Sequence, residues 1–148
     1  GMNISILIKF LGSINGILSI FKIDKNSIWI KEKELVDHNN EISFIYISND
    51  LNILATSCID GYVNLYTFDN FHFLRSIKLP FNISANYVFL SNNPLPSTSI
   101  FSTTNYTFYN FTINGKKINE VYEEKVNLLS PLLFTDISFN DYLVIYFI

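Results

Sequence analysis

Between Ile42 and Lys78 the chain reads ISFIYISNDLNILATSCIDGYVNLYTFDNFHFLRSIK, four short strand-type runs separated by turn signals. The runs are Ile42 to Ile47, Asn52 to Ser57, Tyr62 to Phe68 and Phe73 to Lys78, with turns at Asn49-Asp50, Asp60-Gly61 and Asp69-Asn70. Branched and aromatic side chains dominate the runs because they fit a pleated surface. Asp-Gly tolerates the positive φ that a tight hairpin needs. Four consecutive antiparallel strands make one leaf with two faces, and a leaf cannot bury both faces by itself. The rest of the chain is therefore expected to supply similar leaves on either side.

Those leaves are legible in weaker form. Ile4 to Phe10 and Ile17 to Ile23 read as a strand pair across a Gly12 to Gly16 turn, followed by a shorter strand around Ser27 to Lys31. A third unit has strands near Tyr87 to Leu90, Ser99 to Thr103, Thr107 to Ile113 and Lys117 to Tyr122, with turns at Asn92 to Pro96 and at Asn114-Gly115. Leu132 to Phe139 and Tyr142 to Ile148 read as the first two strands of another unit. The Gly16 and Gly61 turns are 45 residues apart and the Gly61 and Asn105 turns 44, the beat of β-propeller blades. Nowhere does a dozen-residue window keep clean helical spacing of apolar residues. Closed propellers carry typically 4 to 8 blades, so the ring is expected to be incomplete in this chain, and residues 1–148 are expected to form a partial propeller with blade segments at about 4–35, 42–79, 84–123 and 132–148.

Composition narrows the classes of function. Hydrophobic residues make up 49% and charged residues 16%, which excludes disorder. The formal net charge is -3, and phosphate binding needs clustered Lys and Arg, so nucleic acid is not an expected partner. Lys22, Lys25, Lys31 and Lys33 come nearest to a cluster but are interrupted by Asp24, Glu32 and Glu34, and read as a solvated edge. The lone Cys58 rules out an internal disulfide framework, which fits a reducing compartment and equally an undemanding secreted domain. Four sequons, at Asn3, Asn82, Asn105 and Asn110, are what an Asn-, Ser- and Thr-rich chain produces by chance. The longest apolar stretch, Ile4 to Phe21, is broken by Lys9, Ser13, Asn15 and Gly16, so no membrane span is expected. Gly1 ahead of Met2 reads as a cloning remnant, which fits a piece of a longer protein.

Residues 38 to 68 resemble a WD repeat. His38 stands where that family carries Gly-His, Leu54 to Ser57 match its second strand, Asp60-Gly61 its tight turn and Val63 to Tyr66 its third strand. The resemblance implies a hydrogen-bonded tetrad, for which His38, Thr56, Asp60 and Tyr66 are the candidates by position. Tyr66 replaces the family's tryptophan and Thr67 its aspartate, so the tetrad is altered. The phrase Phe108 to Lys116, with the 42–78 unit, is similar to the carboxy-terminal WD repeats of BEACH-domain proteins, the beige and neurobeachin group. That resemblance implies a cytoplasmic scaffold of vesicle and membrane traffic, peripheral to vesicle membranes, that recruits protein partners. The fold expectation is an all-β, WD-like β-propeller segment of a little over three four-stranded blades.

Residues able to do chemistry are few. Metal sites need converging ligands, and beyond carboxylates the chain offers only His38, His72 and Cys58. His38 reads as a structural histidine hydrogen-bonded to Asp60, His72 as a surface turn residue, and Cys58 as a buried inert thiol. The acidic groups Glu123 and Glu124, Asp136 and Asp141, or Glu32, Glu34 and Asp37, lie in expected turns or strand ends where carboxylates solvate backbone. No phosphate loop, nucleophile elbow or zinc spacing occurs, so no catalytic residue and no metal or other cofactor is assigned. Phe68, Phe71, Phe73, Phe101, Tyr106, Phe108, Tyr109 and Phe111 include adjacent pairs that alternation must split between faces, and exposed aromatics mark partner surfaces. Non-catalytic protein binding through one rim is the expected role, with turns such as Asn49-Asp50, Asn92 to Pro96 and Asn114-Gly115 presenting the contacts. A second copy, or a missing chain segment, would complete the propeller. The rival readings are a self-contained β-sandwich or barrel that binds carbohydrate or lipid, and an enzyme built on acidic pairs.

Overall fold

A computed structural model describes residues 8–92, 96–113, 132–137 and 143–147, the last two segments by their backbone. The fold is all-β. Strands β1 (Ile8–Gly12), β2 (Leu18–Ile23) and β3 (Trp29–Leu35) form one antiparallel sheet, and β4 (Ile42–Ser48), β5 (Ile53–Cys58), β6 (Tyr62–Thr67) and β7 (Phe73–Lys78) form a second. The third sheet contains β8 (Tyr87–Ser91), β9 (Ser97–Ser102) and β10 (Thr107–Thr112), and β11 (Leu132–Ile137) pairs with β12 (Leu143–Phe147). Each strand pairs with its sequence neighbour, so every sheet is a simple meander. The expected Lys117 to Tyr122 strand and Asn114-Gly115 turn lie outside the described residues, as do Asn3, Glu123, Glu124 and Asp141.

The central sheet shows why these sequences stack as leaves. Side chains alternate across a strand, and both faces of β4 to β6 are apolar. Ile45, Ile47, Leu54 and Tyr66 pack toward the first sheet, against Ile8, Phe10, Leu18 and Ile20. Phe44, Tyr46, Ala55, Val63 and Leu65 pack the other way, in one cluster with Val88, Leu90, Ile100 and Phe111 of the third sheet. All six residues of β5 are buried, which explains a continuous apolar and small-residue run in place of polar alternation. Burying side chains such as Leu54, Leu65 and Ile100 stabilises the stack by about 1.5–3 kcal/mol each. The leading strands β4 and β8 meet through edge-to-face and tilted rings, Phe44 with Tyr87 at 5.3 Å and Phe89 with Phe44 at 5.7 Å between centroids. Three sheets in succession, each covering its neighbour, are a blade-like arrangement, and the described residues form no closed barrel.

The repeat is geometric as well as sequential. Gly16 and Gly61, 45 positions apart, adopt φ of 81° and 90°. A side chain on Gly16 would collide with the carbonyl of His38, and one on Gly61 with the carbonyl of Ile83, in each case 22 residues downstream. The β1–β2, β5–β6 and β9–β10 turns are therefore equivalent, and β1 is the counterpart of β5. The third unit keeps the conformation without glycine, since Tyr106, a further 45 positions on, sits at φ 51°. The positive-φ position falls one residue beyond the Asn105 expected from sequence.

The charged segment of β3 is the solvated edge that its sequence implies. Its first six residues are exposed and ion pairs join Lys22 to Glu32 at 2.9 Å and Lys31 to Glu34 at 2.7 Å. Pairing of Leu18 with buried Leu35 carries β3 beyond the Lys31 limit expected from apolar pattern alone.

Candidate functional site: the turn-bearing rim

At one end of the stack the β1–β2, β5–β6 and β9–β10 turns touch the connections that lead into β4 and β8. Ile42 N–H donates to the Ser13 carbonyl at 3.1 Å and Ala85 N–H to the Cys58 carbonyl at 3.2 Å, the two acceptors standing 45 positions apart. Ser84 Oγ lies 2.7 Å from Thr104 Oγ1 across the next junction. These bonds fix the rim in place.

The rim is studded with apolar side chains that face water. Ile14 is 73% exposed and its counterpart Ile59 38%; Val36 is 64% exposed and its counterpart Phe81 89%; Tyr106 is 37% exposed. Ile14 and Ile59 are 45 positions apart, as are Val36 and Phe81. Phe81 also holds φ 63° inside a 3-10 turn, Pro80–Asn82, a conformation that costs a bulky residue about 1 kcal/mol or more. Buried Leu79 and Ile83 flank it and fix the loop. Between the second and third sheets the rim opens into a cleft of about 540 Å³, lined by Glu41, Ser43, Ile59, Asn86, Tyr87, Thr103 and Tyr106 among others. The opposite end carries the polar Asn49-Asp50 and Asp69-Asn70 turns. The sequence had pointed to that end, whereas the repeated exposed apolar side chains lie at this one.

The four residues singled out by resemblance stand behind the rim. His38 Nε2 lies 2.7 Å from Thr56 Oγ1, both residues buried. Burial holds the His38 pKa below its ordinary value of 6.5, opposed by Asp60, the Thr56 backbone and Asp37. Tyr66 donates its hydroxyl to Asp37 Oδ2 at 2.9 Å. Burial, then the hydrogen bond to Asp37, raises the Tyr66 pKa. Asp60 Oδ1 accepts the Tyr62 N–H at 3.2 Å, and His38 Nδ1 is buried without a partner. The structure therefore joins His38 to Thr56, takes Tyr66 to Asp37, and leaves Asp60 bracing the turn. Asp37 is the member that sequence reasoning did not place in the network.

Among the other residues weighed for chemistry, Cys58 is buried, its thiol pushed up to about 11 by burial first and then by Asp60. His72 is exposed in the β6–β7 turn, where its N–H donates to Thr67 Oγ1 at 3.0 Å. Phe71, Phe101, Phe108, Tyr109 and Phe111 are buried, while Phe73 and Tyr106 are exposed. Among the described residues no three His, Cys, Asp or Glu side chains converge as a metal site, and no helix is long and apolar enough to cross a membrane.

No family model matches this chain, and no curated protein matches it. Solved structures do match, among them the crystal structure of the computationally designed Ika8 protein, with a TM-score of 0.64 at 15% identity. The alignment covers 99% of this chain and 44% of that one, so the chain spans less than half the length of Ika8. At this identity the likeness bears on fold alone.

Proposed function

We propose that the chain is a non-catalytic protein-interaction segment, the WD-repeat part of a larger cytoplasmic scaffold of the BEACH type, which engages protein partners through the turn-bearing rim. The observation that carries the rim assignment is the 45-residue recurrence of exposed apolar side chains, Ile14 with Ile59 on the turns and Val36 with Phe81 on the connections that those turns touch. Solvent-facing apolar groups on an ordered surface lose little conformational entropy on binding. The WD-repeat and traffic parts of the reading rest on the resemblance of 38–68 and 108–116 described above. The far face of the first sheet, with Leu11 55% and Trp29 42% exposed, supports a further sheet, from a second copy or another part of the chain, stacking there.

Selection of peptides from a displayed random library against the intact chain tests the reading. Peptides that bind the native chain and are lost together on Phe81→Asp and Ile59→Asp are expected. Selected peptides indifferent to both substitutions, or no selectable peptide, contradict it.

A further inference from the structure

On the face of the central sheet that looks toward the first, just behind the rim, lies a cleft of about 320 Å³ lined by Asp37, His38, Asp60, Tyr62, Phe73 and Ser76 among others. Its position follows from strand register. Tyr62, Asn64 and Tyr66 alternate onto one face of β6, Ser76 and Phe73 pair with Asn64 and Tyr66 on β7, and the connection carrying Asp37 and His38 folds over them.

The lining combines negative charge, a buried histidine and aromatic walls. Asp37 uses one oxygen for Tyr66 and Asp60 one for the Tyr62 N–H, and a carboxylate has lone pairs left over after one such bond. His38 is 93% buried by its 7% relative exposure, with Nδ1 unpartnered. His38 lines the cleft, and its ring is held by Nε2, 2.7 Å from Thr56 Oγ1. Tyr62 and Phe73 present exposed rings. A cation already rests against one of them: the Lys78 ammonium is 4.8 Å from the Tyr62 centroid and donates to the Asp60 carbonyl.

We propose that this cleft receives the guanidinium of an arginine presented by a protein partner. A planar cation with five donors suits two carboxylates set beside aromatic faces, whereas an ammonium is a compact point charge. The apolar row on the adjoining rim then takes the residues that flank the arginine. The proposal rests on the rim reading and narrows it to one anchoring contact.

The probe is N-acetyl-arginine N-methylamide, titrated into the 15N-labelled full chain at low ionic strength, with the citrulline, lysine and norleucine analogues beside it. Arginine is expected to shift the amides of Asp60 to Asn64 and Phe73 to Ser76, with citrulline about tenfold weaker because it keeps the shape and lacks the charge. Asp37→Asn and Asp60→Asn keep acceptor oxygens for Tyr66 and for the Tyr62 N–H. Each is expected to weaken the arginine probe by about threefold to tenfold while the remaining amide spectrum stays native. Equal shifts from arginine and citrulline, or shifts confined to other residues, overturn the proposal. So does lysine binding as tightly as arginine, or arginine binding unchanged in the Asp37→Asn/Asp60→Asn double variant. Rim-dependent peptides that bind without using the cleft would overturn this proposal and leave the wider reading intact. Arginine seated in the cleft with no peptide selectable at the rim would do the reverse.

Discussion

The Nε2 of His38, in the connection from the first sheet, lies 2.7 Å from Oγ1 of Thr56, in the middle of the central sheet. This one contact ties the rim to the buried framework behind it. Because burial lowers the His38 pKa below 6.5, the folded chain holds the ring neutral while the unfolded chain takes up a proton near pH 6.5. The sign follows: the contribution is fully present above pH 6.5 and is lost as pH falls through 6.5 toward the folded value. Urea midpoints should be lower at pH 5.5 than at pH 7.5, and His38→Asn should flatten that part of the profile. An unchanged slope in the variant would assign the pH dependence to other groups.

Thr56→Val keeps the shape of the side chain and removes the hydroxyl that faces His38. A buried ring nitrogen left without its partner should cost about 1–3 kcal/mol, read as a loss in urea unfolding free energy. Tyr66→Phe should cost less, about 1 kcal/mol, because its partner Asp37 is exposed and water can replace the hydroxyl.

The 45-residue repeat predicts opposite outcomes at equivalent positions. Gly61→Ala puts a methyl group against the Ile83 carbonyl at φ 90°, and should destabilise the fold by about 2 kcal/mol or more. Tyr106→Gly, at φ 51° with an exposed side chain, should stabilise it by about 1 kcal/mol. Thermal midpoints of the two variants moving in the same direction would show that the three turns are not equivalent.

Cys58 should behave as an inert core thiol. Held as the neutral thiol by a pKa of about 11, and buried, it should react with a disulfide reagent at pH 8 about a hundredfold more slowly in the native chain than in urea. Comparable rates would place it at the surface.

Much of the architecture is written locally. The Asp60-Gly61 turn and the strand-type runs on either side of it are short-range signals, and β4 to β10 lie within a residue or two of where they are expected. The β3 strand runs further than expected, and the cross-strand ion pair of Lys22 with Glu32 that supports it is invisible to apolar pattern. The positive φ of Tyr106 has no local signal because tyrosine has no preference for it; only the 45-residue spacing from Gly61 marks it. The exposure of Val36 and Phe81 depends on how a connection crosses its neighbouring turn, a relation between residues far apart in sequence. Tyr66 finds Asp37 because a phenol hydroxyl projects from the end of its ring, which takes it to the preceding connection. The resemblance to a tryptophan-bearing motif contained no such information.

The central claim is that partners dock on the turn-bearing rim, and amide hydrogen exchange on the full chain with and without a selected peptide tests it most directly. Protection is predicted at residues 13–16, 36–41, 59–61, 79–86 and 103–106. Protection at the opposite end, at residues 49–52 and 69–72, would contradict it.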